Sequence, residues 1–297
     1  MTVPDSVPPP VARTLTLLPR QPSRAALPRL IATDLDGTLL RANGTVSPRT
    51  AAALAAAARA GIEVLFVTGR PARWVAPLRE HAHGGLAICG NGASLIDLRR
   101  GGALLAARPL PVGNALALIA ALRAVAPGVT FAVERTGGIH YATGYPPLHE
   151  EDPTVVGVTP VEELLADDSP YARQPLLKLL AHHRTLDPDA FLALARSVAA
   201  GRGEITRSSP TALLEISGPG VSKASTLALH CARRGVTAQE VVAFGDMPND
   251  LEMLGWAGRA YAMANAHPAV LAGTARRTAS HQEDGVAVVI ERLLARF

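Results

Sequence analysis

The sequence predicts an α/β protein in which a doubly wound parallel sheet is interrupted by an inserted domain of α+β character. Three observations predict this fold. Short apolar runs alternate with helical patterns at both ends of the chain, acidic or polar residues directly follow several of these runs, and the pattern changes between residues 98 and 214. Apolar strands that alternate with helices are typical of a parallel sheet covered on both faces.

The first part of the predicted sheet lies before residue 98. Ser47 and Pro48 have the pattern of a helix N-cap followed by a first-turn proline. They begin an alanine-rich helix that ends at Gly61. The predicted elements are, in chain order, a strand at Leu30 to Ala32, a helix at Arg49 to Ala60, a strand at Ile62 to Val67, a helix that begins at Pro71 and a strand at Leu86 to Cys89.

The pattern then changes to strand-like runs separated by two clear helices and by one loose segment, 144–160, rich in Pro and Glu. The helices are predicted at Val112 to Val125 and Pro188 to Ala199, and the strands at Ala103 to Ala107, Val129 to Val133, Ile139 to Ala142, Leu176 to Ala181 and Ala212 to Ile216. We expect a separate domain at 98–214, inserted into a first domain formed by 29–97 and 215–297.

The chain returns to strand and helix alternation after the inserted region. The predicted elements are a helix at Ser222 to Arg234, a strand at Val241 to Phe244, a helix at Asn249 to Leu254, a strand at Ala260 to Met263 and a helix at Gly285 to Leu294. Residues 1–28 contain a run of three prolines and are expected to be a disordered extension rather than a signal peptide.

The composition excludes several classes of protein. The 297 residues are 48% apolar and 18% charged, which is typical of a globular chain. The net charge of +4 comes from scattered basic residues, so we do not expect nucleic acid as a partner. No apolar run is long enough to span a bilayer, so we do not expect a membrane either. Cys89 and Cys231 lie in apolar patterns without metal or disulfide spacing. We therefore expect a cytoplasmic protein, monomeric or a small homo-oligomer, that binds small anionic molecules.

Asp34 and Asp36 follow the first predicted strand and are the most informative acidic pair. If the backbone stays extended, residues i and i+2 point the same way, so both carboxylates face one small volume and need a cation. An Asp-Gly pair after a strand is also an ordinary turn signal. However, Thr68 and Asn91 follow the next two strands, and ligands of doubly wound sheets bind at the carboxyl ends of the strands.

The second half of the chain adds a cation and more carboxylates. Lys223 begins a helix, where its ammonium and the helix N-terminus favour an anion, although such a lysine is more often a solvated surface residue. Asp246 and Asp250 follow the strand that ends at Phe244. They are typical of a helix-capping loop, or of a site in which oxygen ligands hold Mg²⁺.

Taken together and in order, these motifs resemble the haloacid dehalogenase-like superfamily of phosphohydrolases, and further details resemble its Cof-type branch, which carries a large α+β cap. The four motifs are Asp34-Leu35-Asp36-Gly37-Thr38, Thr68-Gly69-Arg70, Lys223, and Gly245-Asp246-Met247-Pro248-Asn249-Asp250. The Cof-type details are Asn91-Gly92-Ala93, Gly220-Val221-Ser222-Lys223, Asn265-Ala266 and Asp284-Gly285-Val286-Ala287. The resemblance spans residues 30–297 and implies a Rossmann-like core whose cap is the inserted domain.

The resemblance also implies a role for each motif residue. Asp34 would be the nucleophile that forms an aspartyl phosphate, and Asp36 the general acid and base. Mg²⁺ would be held by Asp34, the backbone carbonyl of Asp36, and Asp246, while Asp250 would orient Lys223 or a water. The phosphoryl oxygens would be bound by the Thr68 hydroxyl, the Lys223 ammonium, the Asn249 amide and the backbone N–H groups of Leu35 and Gly69.

Substrate contacts are less specified. Arg70 is expected either to touch the substrate or to form a surface salt bridge, and Asn91 and Lys178 are possible substrate contacts. Cap residues that could form a specificity pocket, or simply be solvated or core-filling, are Glu134, Arg135, Tyr141, Tyr145 and Lys178. The predicted substrates are small phosphorylated metabolites, with sugar phosphates favoured. A phosphomutase, which uses the same aspartyl phosphate, and a non-enzymatic phospho-receiver domain remain alternatives.

Overall fold

The computed structural model describes residues 27–83, 85–146 and 156–296. Apart from its last two residues, the extension expected at 1–28 lies outside the described residues, and so does most of the loose segment. The described chain forms two sheets, one of seven strands and one of six.

The seven-stranded sheet has the order β13-β12-β1-β2-β3-β4-β5. The first five strands in this order are parallel, and β4 and β5 extend the sheet in antiparallel pairing. The strands are β1 (Leu30–Thr33), β2 (Glu63–Val67), β3 (Leu86–Cys89), β4 (Ser94–Asp97), β5 (Ala103–Ala107), β12 (Val241–Gly245) and β13 (Arg259–Ala262).

Helices cover both faces of this sheet, as a doubly wound fold requires. Ile31 packs with the helices on one face, whereas its neighbour Leu30 belongs to the core of the other face, because successive side chains of a strand alternate. One face carries α1 (Pro48–Arg59) and α9 (Gly285–Leu294); the other carries α6 (Lys223–Arg233), α7 (Leu251–Trp256) and α8 (Pro268–Gly273). A single turn of helix, α2 (Ala72–Val75), follows β2. The predicted fold class is confirmed.

The second sheet has the order β10-β11-β9-β6-β7-β8. Its strands are β6 (Thr130–Arg135), β7 (Gly138–Ala142), β8 (Val156–Thr159), β9 (Leu176–His182), β10 (Glu204–Thr206) and β11 (Leu213–Ser217). Leu118, Leu164 and Phe191 bring three helices onto one face of this sheet. The helices are α3 (Val112–Val125), α4 (Val161–Leu165) and α5 (Pro188–Val198).

The sheet pairing corrects two of the expected boundaries. Ala103–Ala107 was expected in the inserted domain, but it pairs with β4 at the edge of the first sheet. At the other end, the division expected between residues 214 and 215 falls inside β11, all of which belongs to the second sheet. The chain therefore crosses between the sheets after Ala107 and again after Ser217. A short apolar strand does not reveal locally which sheet it will join, because that depends on a distant partner.

The two crossings are tied together. The Arg108 guanidinium donates hydrogen bonds to the Gly220 carbonyl at 2.8 Å and to Ser225 Oγ at 2.7 Å. Residues of the second sheet, Lys178 and Glu215 among them, face Asp34 and Thr68 at the carboxyl ends of the parallel strands. None of the helices in the described part of the chain combines the length and apolar character needed to cross a bilayer.

Candidate active site

Three parallel strands deliver the motif residues to one edge of the first sheet. Thr33, the last residue of β1, pairs with Phe66 of β2 and with Phe244 of β12. Asp34, Thr68 and Asp246 each follow these registered positions within one or two residues. Strand register therefore brings together side chains that are more than 200 residues apart in the sequence.

Lys223 lies at the floor of the site between two carboxylates. Its Nζ is 2.8 Å from Asp34 Oδ1 and 2.7 Å from Asp250 Oδ1. Burial alone would lower the pKa of Lys223, but Asp250 and Asp34 more than offset it, so the pKa is raised. Lys223 is a buried, permanently charged ammonium, not the solvated lysine of the alternative interpretation.

Asp250 is fixed by its own loop. Its Oδ2 accepts hydrogen bonds from the backbone N–H groups of Asp246 at 3.0 Å and Met247 at 3.1 Å. Asp250 therefore holds hydrogen bonds at both oxygens, one of them with Lys223; its expected role, to orient Lys223 or a water, stays a prediction.

The buried carboxylates form a cluster that suits a divalent cation. Asp34, Asp246 and Asp250 each offer an oxygen within 4.8 Å of the others. Burial raises the pKa of Asp34 well above its usual range, and burial together with Asp250 raises the pKa of Asp246 to about 7. Thr38 Oγ1 donates to Asp246 Oδ1 at 2.9 Å, which leaves the second oxygen of Asp246 available. Hard oxygen donors, repelling one another in a buried space, fit Mg²⁺.

Asp36 is not part of this cluster. Its side chain is 57% exposed and accepts two hydrogen bonds from the Arg70 guanidinium, at 2.7 Å from Nε and 2.5 Å from the terminal nitrogen. The metal role expected for Asp36 involves only its backbone carbonyl and stays a prediction. Of the two roles considered for Arg70, the structure shows a salt bridge, and its partner is the proposed general acid.

Three of the expected phosphate ligands, Thr68, Gly69 and Asn249, line the same cleft as Asp34. Thr68 is buried, and its Oγ1 accepts a hydrogen bond from the backbone N–H of Arg70 at 3.1 Å. Asn249 is also buried and donates from Nδ2 to Asn91 Oδ1 at 3.0 Å. The Leu35 side chain packs into the hydrophobic core, so only its backbone is available to a phosphoryl group. These phosphate-binding roles, including that of Gly69, stay predictions.

The inserted domain contributes charged side chains to the roof of the site. Lys178 Nζ donates to Glu215 Oε2 at 2.5 Å and to the Gly69 carbonyl at 2.8 Å. Glu134 pairs with Arg73 of α2, with 2.5 Å between Oε1 and the guanidinium. Sequence reasoning missed Glu215 and Arg73. The signal for Glu215 was a single charge inside the apolar strand Leu213–Ser217.

Other expected pocket residues lie elsewhere. The Arg135 guanidinium donates to the carbonyls of Leu164 and Gln174, inside the inserted domain. Tyr141 and Tyr145 pack in a small apolar cluster with Leu180. These three residues are core-filling. Arg135 and Tyr141 lie on neighbouring strands, and the alternation of side chains sends them to opposite faces of the sheet.

A cleft of about 340 Å³ lies between the two sheets, with Asp34 and Lys178 on opposite walls. Its volume is within the range of small-molecule sites. The lining residues are Asp34, Asp36, Thr68, Gly69, Arg70, Pro71, Arg73, Trp74, Glu134, Ile139, Lys178, Leu180, Ser208, Ser209, Leu213, Glu215 and Asn249. Asn91 is not among these residues, and its expected contact with substrate stays a prediction.

Comparison with known proteins gives a consistent result. Residues 31–290 match the family described as haloacid dehalogenase-like hydrolase. The chain is 33% identical over 258 residues to pyridoxal phosphate phosphatase YbhA of Escherichia coli, covering 82% of this chain and 90% of that protein. It is 30% identical over 264 residues to 5-amino-6-(5-phospho-D-ribitylamino)uracil phosphatase YitU of Bacillus subtilis, covering 88% and 95%.

Solved structures agree with the fold. A haloacid dehalogenase-like hydrolase from Bacteroides thetaiotaomicron superposes with a TM-score of 0.69 at 26% identity, covering 89% of this chain and 99% of that one. The similarity therefore includes both sheets, and it extends over the sequence that carries all four motifs.

Proposed function

Since this chain belongs to the haloacid dehalogenase-like hydrolases and is a phosphatase of that family, we propose that it is a Mg²⁺-dependent phosphomonoesterase for small phosphorylated metabolites. The observation that carries the proposal is the position of Asp34. This buried carboxylate lies at the inner end of the cleft, 2.8 Å from the Lys223 ammonium. A nucleophile and a fixed positive charge then share the place where a phosphoryl group would enter.

The reaction proceeds in two displacements at phosphorus. In the first, an oxygen of Asp34 forms a bond to phosphorus as the bond to the leaving oxygen breaks, giving an aspartyl phosphate and an alcohol. In the second, water adds its oxygen to phosphorus, the bond to Asp34 breaks and inorganic phosphate leaves. The Lys223 ammonium and the Thr68 hydroxyl stabilise the negative charge on the phosphoryl oxygens in both steps.

Proton transfer is assigned to Asp36. The alcohol oxygen needs a proton as it leaves, and the attacking water must lose one, so one carboxyl group can serve both steps. Asp36 lies at the mouth of the site, in the salt bridge with Arg70. A substrate phosphate that attracts the Arg70 guanidinium would release Asp36, which could then take up a proton from water and donate it to the leaving oxygen.

The metal would be held by Asp34 and Asp246 together with the backbone carbonyl of Asp36. A bound Mg²⁺ would neutralise charge on the transferring phosphoryl group. Burial is the main cause of the raised pKa values of Asp34 and Asp246, and the nearby Asp250 adds to both; a bound Mg²⁺ would favour the ionised carboxylates and so offset these effects.

Two substrate classes are supported. Sugar phosphates remain the leading class, because Glu134 on the roof is able to hydrogen-bond to hydroxyl groups. Phosphorylated ring compounds are the second class, because the cleft also has apolar walls formed by Trp74, Ile139 and Leu180. The two relatives named for their substrates act on pyridoxal phosphate and on a ribityl-aminouracil phosphate. We favour these small molecules over polymers, which the inserted domain would exclude.

A substrate panel with Mg²⁺ tests the proposal. Purified protein is incubated with sugar phosphates, pyridoxal phosphate, a phosphopeptide and a 5′-phosphorylated oligonucleotide, and free phosphate is measured. We expect release from the small molecules. Isomerised sugar phosphate without release would instead indicate the phosphomutase, and faster release from the phosphopeptide or oligonucleotide would contradict the proposed substrate class.

A further inference from the structure

The buried pair Lys178 and Glu215 contacts the phosphate-binding residues of the core from the inserted domain. Lys178 is 5% exposed and lies on β9, and Glu215 is 4% exposed and lies on the neighbouring β11. An ion pair buried this deeply is costly unless its remaining hydrogen-bonding groups are satisfied. Here the partners that satisfy them come from the core domain.

Two chains of hydrogen bonds, called limbs below, start from this pair, and the first limb runs from Lys178 to Thr68. Lys178 Nζ donates to the Gly69 carbonyl at 2.8 Å, and the N–H of the same peptide unit, that of Arg70, donates to Thr68 Oγ1 at 3.1 Å. Because a peptide unit is planar and rigid, fixing its carbonyl also fixes its N–H. Because Thr68 Oγ1 accepts this hydrogen bond, the proton of the Thr68 hydroxyl is directed away from the Arg70 N–H.

The second limb runs from Glu215 to Asn249. Glu215 Oε2 accepts from Asn91 Nδ2 at 2.9 Å, and Asn91 Oδ1 accepts from Asn249 Nδ2 at 3.0 Å. This contact fixes which end of the Asn91 amide faces Asn249. Ser208 Oγ donates to the other oxygen of Glu215 and holds the carboxylate in place.

The two domains approach closely at this point. A Cβ added to Gly69 would lie 3.1 Å from Asn91 Oδ1 and 3.4 Å from Glu215 Oε2. A side chain at position 69 would therefore crowd the Asn91 amide and the Glu215 carboxylate.

We propose that Lys178 and Glu215 are positioning residues that complete the phosphoryl-binding site from the inserted domain. This inference rests on the proposed function. The pair acts on Thr68 and Asn249 through the two limbs and not on the leaving group, so it affects every substrate equally. When the inserted domain is displaced, both limbs are broken and the site binds phosphate weakly.

Inorganic phosphate is the probe that isolates this role, because it has no leaving group. Its binding in the presence of Mg²⁺ is measured by calorimetry, which requires no turnover, so a protein that hydrolyses no ester still tests the inference. The first variant is Lys178→Met with Glu215→Leu, which removes both charges together and leaves neither unpaired. Thermal unfolding establishes that it is folded.

We expect the phosphate affinity of this double variant to fall about 10- to 100-fold, as is usual when groups that orient direct ligands are lost. The kcat/KM values for a sugar phosphate and for p-nitrophenyl phosphate should fall by one common factor. Glu162→Gln, which breaks an ion pair with Arg123 on the surface of the same domain, is the control and should change none of these quantities.

A second double variant, which combines Lys178→Met and Glu215→Gln, tests the second limb. Its glutamine keeps an acceptor for Asn91, whereas the leucine of the first double variant does not. This variant should recover part of the lost phosphate affinity. Adding Asn91→Gly, which suits the positive φ of 55° at that position, should then cost affinity in the glutamine variant and little in the leucine variant.

Three outcomes would overturn the inference. One is phosphate affinity of the folded leucine variant within about twofold of the wild type, which is the scatter of independent effects. Another is an equal cost of Asn91→Gly in both backgrounds. Losses confined to the larger substrates would also overturn it, since they would assign the pair to the leaving group.

Discussion

Lys223 Nζ lies 2.8 Å from Asp34 Oδ1, and the two side chains are 1% and 8% exposed. Burying either charge without the other would cost too much free energy, so the buried carboxylate and the buried ammonium each require the other. The contact also leaves the second oxygen of Asp34 free to face the cleft. The ammonium therefore orients the nucleophile and supplies charge to the group that the nucleophile attacks.

Replacement of Asp34 by asparagine should abolish turnover while preserving the fold. The amide matches the size of the carboxylate but lacks its negative charge, so the aspartyl phosphate cannot form. We expect kcat to fall at least about a thousandfold, measured by phosphate release, with an unchanged circular dichroism spectrum. Asp168→Asn, at an exposed carboxylate of the inserted domain, is the control. Activity of Asp34→Asn within about tenfold of the wild type would exclude Asp34 as nucleophile.

Removal of metal should stop phosphate release. In the absence of a cation, Asp34, Asp246 and Asp250 repel one another and the incoming phosphate. Excess chelator should therefore eliminate activity, and Mg²⁺ added above the chelator concentration should restore it. Full activity in chelator would rule out the proposed metal site.

The stabilisation by Mg²⁺ should depend on pH. The pKa of Asp246 is raised from 3.8 to about 7 by burial and by Asp250. A carboxyl group whose folded-state pKa is raised contributes stability below its unfolded pKa and loses it as pH rises through the folded pKa. The metal-free protein should lose this contribution between about pH 4 and pH 7, and Mg²⁺ should compensate.

The measurement is thermal unfolding with and without Mg²⁺ at about pH 5.5 and pH 8. We expect the larger increase in Tm at the higher pH. Asp246→Asn should remove most of this difference. If Mg²⁺ raised Tm equally at the two pH values, Asp246 would not titrate in the folded protein as described.

Gly37 protects the position of Asp246. Its φ is +69°, and an added Cβ would lie 2.2 Å from Asp246 Oδ2. Gly37→Ala should therefore displace Asp246 and lower the apparent affinity for Mg²⁺ by at least about tenfold. Gly44→Ala is the matched control, because Gly44 has a φ of +76° but a Cβ added there would meet no atom within 4 Å.

Both alanine variants should lose about 1 kcal/mol of stability from the positive φ. Only the variant at Gly37 should require more Mg²⁺, as measured by titrating activity with the metal. Equal metal requirements in the two variants would show that the contact with Asp246 is unimportant.

Several of these features could be predicted from sequence because their signals are local. Asp34 and Asp246 each follow an apolar run and Lys223 begins a helix, and because the four motifs occur together and in order these local signals could be combined into one site. Glu215 could not be assigned in this way, because its partners Lys178 and Asn91 are joined to it only by the pairing of β9 with β11 and by contact between the domains. The prediction that β5 belongs to the inserted domain was wrong for a similar reason, because its pairing with β4 is not visible in its own sequence.

Movement of the inserted domain is a further prediction. Arg73 and Glu134 form a salt bridge across the cleft, so replacing both by cysteine and joining them with a short thiol-specific linker should hold the cleft closed. Cys89 and Cys231 should not react, because burial raises their pKa values to about 12 and about 11.

The linked protein should turn over at least about tenfold more slowly than the same double variant whose cysteines are capped singly, because substrate entry and product release require opening. Equal rates would show that the inserted domain does not move as a gate.

The central claim, that Asp34 carries the phosphoryl group, is tested most directly by trapping the intermediate. Protein mixed with a substrate and Mg²⁺ is quenched in acid within milliseconds, digested, and its peptides are sequenced by mass spectrometry. We predict a phosphoryl group on Asp34, absent from Asp34→Asn and lost from the wild type when the substrate is exhausted. Rapid turnover without any phosphorylated peptide, or with the phosphoryl group on another residue, would contradict the account.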